Sequence, residues 1–171
     1  MVTISVVIIS FNEADIIEQC LQHVTWADEI IVVDSESTDG TIDIARRYAT
    51  AVHEVPWLGF GPQKNHAIDL ATCDWILCID CDEFVSERLA VEIRNTISST
   101  DRNGFKIRFK MHALGRPVRF GNWWMQHKPL LFRRGTARFR DRQVHERLDV
   151  NGPMGRLRGT LEHHTLRTRK E

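Results

Sequence analysis

Long apolar runs are missing from this chain. Stretches such as Val6-Val7-Ile8-Ile9 stop far short of the ~20 residues a membrane-spanning helix needs, so no membrane span is predicted. The start, Met1-Val2-Thr3-Ile4-Ser5, has no charged region and no small-residue cleavage site. It reads as a first strand rather than a signal peptide, and a cytoplasmic protein is expected. Cysteine is scarce, with four in 171 residues. Cys78 and Cys81 make a C-x-x-C spacing, but no second ligand pair follows. Side chains three apart on a strand point to opposite faces. Redox or zinc chemistry is therefore disfavoured, and the cysteines read as small hydrophobes. Glycine-rich phosphate loops are absent too. No G-x-G-x-x-G follows the first apolar stretch, which argues against a dinucleotide-binding Rossmann domain, and no G-x-x-x-x-G-K-[ST] argues for a P-loop. There is no internal repeat, no low-complexity segment and no recognisable nucleic-acid-binding module.

What is present is an ordinary folded composition, 42% hydrophobic and 27% charged, of a length that suits one domain. Net charge is zero, yet it is unevenly placed: residues 1–100 hold 5 Lys/Arg against 17 Asp/Glu, and residues 101–171 hold 18 against 6. Either the two halves neutralise one another across an interface, or the basic half meets an anionic partner such as a phosphorylated glycolipid, a membrane surface or nucleic acid.

Along the chain, residues 3–10 are continuous and β-branched, as in a strand buried on both faces. Asn12 is placed to cap a helix carrying Ile16, Ile17, Cys20, Leu21 and Val24. Residues 29–33 give a second strand, Asp34 to Gly40 a turn-rich loop, Thr41 to Tyr48 a short helix and 51–55 a third strand. Pro56, Gly59, Gly61 and Pro62 mark a loop. Gln63 to Ala71 reads as a helix, 74–79 as a fourth strand, and Ser86 as the N-cap of a helix through Ile97. That β-α alternation predicts a parallel α/β sheet. Phe105 to Lys110 then alternates strictly, as an antiparallel strand does, and shorter strands are expected at 130–133 and 159–164. The second half is expected to extend the same sheet, so residues 1–171 form one domain.

In an open parallel sheet, ligands bind beyond the carboxyl ends of the strands. There this sequence places Phe11-Asn12-Glu13, then Asp34 through Gly40, then Asp80-Cys81-Asp82-Glu83. Unpaired carboxylates crowded together repel, but they suit a divalent cation and a polyhydroxylated ligand. Asp80-x-Asp82, ending an apolar strand, is the sharpest feature. Mn²⁺ or Mg²⁺ takes such oxygen ligands while keeping phosphates and water in its shell.

Four motifs in order, Ser5 to Glu13, Ile31 to Thr41, Gln63-Lys64-Asn65-His66-Ala67 and Trp75 to Glu83, resemble glycosyltransferase family 2. The stretch Gly115 to Trp123, with Leu131-Phe132-Arg133-Arg134 and Val144-His145-Glu146, resembles its bacterial lipopolysaccharide-core β-1,4-glucosyltransferase branch. The resemblance implies a GT-A, Rossmann-like fold: a mostly parallel central sheet flanked by helices, with a small antiparallel extension in the second half. It implies a nucleotide-sugar-binding half (1–100) and a basic, acceptor-side half (101–171). It implies a UDP-sugar donor, a glycan or glycolipid acceptor, anionic if the basic half contacts it, and peripheral contact with the inner face of the cytoplasmic membrane. Carried over by position, Phe11, Asn12 and Glu13 line the nucleoside pocket and Asp34 meets the base. Lys64 sits near base or phosphates, Asp80 approaches ribose and metal-bound water, Cys81 lies between, and Asp82 meets the metal. Family 2 enzymes invert the anomeric centre, so a single base suffices: Glu146 is the first candidate, Asp141 the second. Arg116, Arg119, Arg133 and Arg134 are candidates to grip an anionic acceptor. Trp123 and Trp124 either stack on a sugar or pack internally, and His163-His164 is left outside the site.

Two departures stand out. Glu36 occupies a place where members of the family it resembles often carry Gly. Relatives of this branch also continue with further helices, so a truncated or short form is expected. A catalytically weak donor-binding module is the competing reading. A sugar nucleotidyltransferase would open with a Gly-rich basic loop where Phe11-Asn12-Glu13 stands. No pair suggests the acid and nucleophile of a glycosidase.

Overall fold

The computed structural model describes residues 1–113, 116–118, 126–140 and 147–165. The elements run β1 (Ile4–Ser10), α1 (Ile17–Gln22), β2 (Glu29–Asp34), α2 (Thr41–Ala45), β3 (Ala51–Glu54), α3 (Phe60–Leu70), β4 (Trp75–Asp80), β5 (Glu83–Val85), α4 (Glu87–Ile97), β6 (Gly104–Ala113), β7 (Arg116–Pro117), β8 (His127–Arg133), β9 (Ala137–Arg140), β10 (Arg147–Val150) and β11 (Met154–Thr165).

One sheet carries the order β3-β2-β1-β4-β8-β6-β11-β5, with β7 on β6, and β9-β10 form a separate antiparallel pair. β3, β2, β1 and β4 are mutually parallel. β8 then enters antiparallel between β4 and β6. β6 and β11 are parallel to each other, and β5 closes the edge antiparallel to β11. The α/β class, the parallel core and the antiparallel extension are those expected.

The continuous apolar strands explain the two-faced burial. One face of β1 puts Ile4, Val6 and Ile8 against Ile17 and Leu21 of α1 and joins a core with Leu89 and Ile93 of α4. The other face puts Val7 beside Ile31, Ile76 and Cys78, under Ala67 and Ile68 of α3. Each fully buried aliphatic side chain contributes ~1.5–3 kcal/mol relative to exposure. The C-x-x-C cysteines fall into different clusters, Cys81 in the first and Cys78 in the second, and all four cysteines are free. Ser86 caps α4 as expected, its side chain accepting from Leu89 N–H.

Three expectations need correction. Asn12 does not cap α1: the N-cap is Ile16, without a side-chain bond, and the Asn12 amide oxygen instead accepts from Thr38 N–H at 2.9 Å. α3 starts at Phe60 and includes Gly61 and Pro62. Proline is tolerated there because first-turn N–H groups have no intrahelical partner, and Gly61 lets the helix approach the Arg140 carbonyl of β9. α2 ends at Ala45, after which Arg47 and Tyr48 donate to carbonyls three residues back, tightening the turn.

Candidate active site

The loops after β1 and β2 are laced together by side-chain oxygens. Asp34 is fully buried. Its carboxylate accepts from the Ser10 hydroxyl at 2.6 Å, the Ser37 hydroxyl at 2.7 Å and Ser37 N–H at 2.7 Å. Asp39 accepts from Ala14 N–H at 3.0 Å and from the Thr41 hydroxyl at 2.5 Å. Burial nudges its carboxyl upward, but the bonds from Thr41 and Ala14 outweigh that and hold it below the ordinary range. Asn12 and Glu36 sit in the left-handed region at φ 52° and 62°. Asn tolerates this through local hydrogen bonds, whereas Glu does not, so position 36 has a backbone that favours glycine. From below, buried Gln63 of α3 donates to the Ser35 hydroxyl at 3.1 Å and accepts from Leu58 N–H at 3.2 Å, tying the loops after β2 and β3 to one helix.

Against this frame opens a cleft of about 580 Å³, lined by Phe11, Glu13, Ser35, Asp80, Cys81 and Asp82 together with Trp57 and Phe60. Trp57 and Phe60 meet edge to face at 4.8 Å and leave flat apolar surface open. Both fall in the stretch that Pro56, Gly59, Gly61 and Pro62 mark as a loop in the sequence, although Phe60 opens α3. Cys81 is buried, its thiol donating to the Ile9 carbonyl at 3.3 Å, and burial pushes the thiol well up. It packs beneath the carboxylates as a small apolar residue.

Beyond β4, Asp80, Asp82 and Glu83 are kept apart by separate partners. Lys64, nearly buried on α3, places its Nζ 2.8 Å from Asp80 Oδ1. Asp82 Oδ2 lies 3.1 Å from His163 Nε2 of β11. Burial pulls the His163 imidazole down, but the Asp82 hydrogen bond and charge outweigh it and the net shift is upward. Glu83 is buried, its Oε2 accepting from Asp80 N–H at 3.1 Å, and burial followed by the Asp80 charge raises its carboxyl to about 8. Burial thus favours the protonated form of Glu83. His163 arrives because β5 pairs with β11 in a register that sets His163 opposite Glu83. The expected strand at 159–164 was a usable signal, but its partner was not. A second cleft of about 600 Å³ adjoins, lined by Lys64, Glu83, Phe109, Lys128, Arg147 and His163.

Asp80, Cys81 and Asp82, Phe11, Glu13 and Lys64 therefore converge, while Asp34 and Asn12 hold the loops that shape the cleft. Arg133 and Arg134 do not join them. Trp75 pairs with Arg133, so antiparallel β8 carries both arginines to the amino end of β4, at the far end of the strand from Asp80. There Arg133 donates to the Thr100 carbonyl at 2.6 Å and Arg134 to the Cys73 carbonyl at 3.0 Å. Glu146 and Asp141, with Arg119, Trp123, Trp124 and His145, lie outside the described residues, as does the Arg116 side chain.

Residues 5–156 match the profile of Glycosyl transferase family 2. An uncharacterized glycosyltransferase of Rickettsia bellii (strain RML369-C) is 45% identical over 103 residues, covering 60% of this chain and 35% of that protein. The lipopolysaccharide core biosynthesis glycosyltransferase LpsC of Rhizobium meliloti (strain 1021) is 29% identical over 168 residues, covering 94% of this chain and 62% of that protein. The chain thus spans between about a third and under two thirds of the length of these relatives. A similar fold is found in glucosyl-3-phosphoglycerate synthase from Mycobacterium tuberculosis, solved with Mn²⁺, UDP and glucosyl-3-phosphoglycerate, at a TM-score of 0.52 and 24% identity over 63% of this chain and 44% of that one. A profile match over most of the sequence, on a GT-A sheet whose carboxylates gather where four ordered motifs put them, makes this chain a member of glycosyltransferase family 2.

Proposed function

We propose that the chain is the donor-binding and catalytic part of an inverting, metal-dependent glycosyltransferase. It moves glucose from UDP-glucose to an anionic glycan or glycolipid, such as a lipopolysaccharide inner core. The observation that carries this reading is the pair Asp82–His163. Two donor atoms 3.1 Å apart have the spacing of neighbouring ligands on one ion with bonds of ~2.1 Å. A carboxylate with an imidazole suits Mn²⁺, and Mg²⁺ less well. The residues therefore fit the ion, with Asp82 and His163 as its protein ligands and Asp80 turned toward ribose and water. When bound, the cation supplies Lewis-acid stabilisation to a departing diphosphate.

The chain's own groups do the rest. Phe11, Trp57 and Phe60 offer apolar faces to a planar base. Glu13 and Ser35 line the same wall, and Lys64 balances the Asp80 charge so that an anionic diphosphate is not repelled. Glu146, with Asp141 second, takes the acceptor hydroxyl proton. With a single base acting on an acceptor hydroxyl that attacks directly, the anomeric centre inverts. Lys128 and Arg147 on the second cleft support an anionic acceptor. The lipopolysaccharide core enzyme LpsC, similar along nearly the whole chain, supports the acceptor class, and the UDP and Mn²⁺ of the mycobacterial synthase support donor and ion. Peripheral contact with the membrane that carries a lipid-linked acceptor belongs to the same reading; among the described residues no helix is long and apolar enough to cross a membrane.

Calorimetric titration with UDP and UDP-glucose, with and without Mn²⁺, tests the reading. Mn²⁺-dependent binding abolished by Asp82→Ala is the expected result. No binding of either ligand at millimolar concentration would overturn the donor assignment. The anomeric configuration of the product, read by NMR, tests inversion.

A further inference from the structure

β6 and β11 carry a second cluster on their opposite faces. Side chains alternate along a strand, so where Phe109, Met111 and His163 line the second cleft, Lys110, His112, Glu162 and His164 project the other way. The register pairs His112 with His164 and Lys110 with Glu162. The two imidazoles stack with centroids 4.6 Å apart and planes 7° from parallel. His112 Nε2 lies 3.3 Å from Glu162 Oε2, and Lys110 Nζ occupies the other carboxylate oxygen at 2.9 Å. One ligand atom from each of His112, Glu162 and His164 falls within 4.8 Å of the others.

From this juxtaposition we propose that His112, Glu162 and His164 form a second metal site, for a divalent transition metal of the zinc class, distinct from the Asp82–His163 pair. Ligands of a tetrahedral ion with bonds of ~2.0–2.1 Å sit ~3.3 Å apart, the separation already found between His112 and Glu162. The remaining approach is a side-chain adjustment of His164, on a strand whose backbone the sheet holds. Two imidazoles and one carboxylate select zinc, nickel or cobalt over magnesium, whereas a site that also receives a diphosphate draws on harder oxygen ligands. The ion would brace β6 against β11 and leave a coordination position open to water. Lys110, held by the far oxygen of Glu162, raises the local positive charge, so affinity is expected to weaken as salt screening is removed.

The test uses the full chain with His163→Ala, which silences the Asp82 pair. Equilibrium dialysis against Zn²⁺, with metal quantified after exchange, is paired with the visible absorption of Co²⁺. The expected result is retention of one Zn²⁺ and Co²⁺ bands of low coordination number. Both should be weakened ~100-fold or more by adding His112→Ala, since even outer-shell partners cost ~10–100-fold in affinity. His164→Gln, added instead, must give the same loss while circular dichroism reports an unchanged fold, which guards against a merely unfolded variant. Failure of His163→Ala to retain Zn²⁺, or equal retention by the double variants, overturns the site. Because no nucleotide is present, neither result bears on donor binding.

Discussion

Lys64 and Asp80 face each other across the junction of the two clefts, Nζ 2.8 Å from Oδ1, with the lysine side chain 11% exposed and the aspartate 40%. The lysine also lies 5.4 Å from the centre of the Phe139 ring, so β9 roofs the pair. Lys64 thus sets a positive charge directly against Asp80 at the acidic end of β4.

Removing it should therefore be felt in folding before any ligand is added. Lys64→Met is expected to lower stability by about 1–2 kcal/mol, between the worth of an exposed pair and that of a fully buried one. Urea unfolding of the ligand-free chain checks this. A midpoint equal to wild type would show that water already screens Asp80.

Glu83 gives a pH dependence of known sign. Its carboxyl is raised from an ordinary 4.5 to about 8 in the folded chain. Between those values the native state holds a proton that the unfolded state has lost, so this contribution to stability falls as pH rises from 4.5 toward 8 and stays lost above it. Glu83→Gln mimics the protonated form, and it should be more stable than wild type at pH 9 by on the order of a few kcal/mol and nearly equal at pH 4. Thermal unfolding across that range decides it.

The strained position in the loop after β2 predicts a gain. Glu36→Gly relieves a φ of 62° and should stabilise by about 1 kcal/mol. Asn12→Gly, at a φ of 52°, should not, because it deletes the bond to Thr38. Comparison of the two melting temperatures separates strain from side-chain bonding.

Asp34→Asn exchanges a carboxylate oxygen for an N–H₂ group in a buried spot where the Ser10 hydroxyl, the Ser37 hydroxyl and Ser37 N–H all donate to it. The expected cost is about 1–3 kcal/mol in the free chain, with UDP affinity weakened through the displaced loop. If calorimetry shows lost affinity with unchanged stability, Asp34 touches the nucleotide directly.

His163→Ala and Asp82→Ala should each weaken Mn²⁺ binding in the presence of UDP by at least ~10–100-fold, with the double variant little worse than either single one, because the proposed site gives both to one ion. Additive losses in titration calorimetry would place the two residues at different ions.

How much of this was readable in advance follows from sequence distance. The strands of the parallel half announced themselves because both their faces are apolar, and Asp80 and Asp82 were visible because a charged pair ended such a strand. The partner of Asp82 was not. His163 looks like any histidine in an alternating segment, and only the pairing of β11 with β5 reveals it. In the sequence Glu83 is one more acidic residue; the upward shift of its carboxyl depends on burial that no local pattern encodes. The arginines failed for the same reason, since β8 could have run in either direction until its register set Arg133 beside Trp75. Gly61-Pro62 misled because the same residues that break a helix also begin one.

The bond between Asp82 and His163 joins residues 81 apart in sequence. During synthesis the parallel half leaves the ribosome first, and domains condense as their parts emerge. Its acidic strand end must then wait for β6, β8 and β11 to add themselves in an order unlike that of the chain. Contacts this remote slow folding because loop closure precedes any reward. The proposed donor site is thus expected to form last and all at once, and a nascent chain halted before residue 163 would display its carboxylates without the histidine bonded to Asp82.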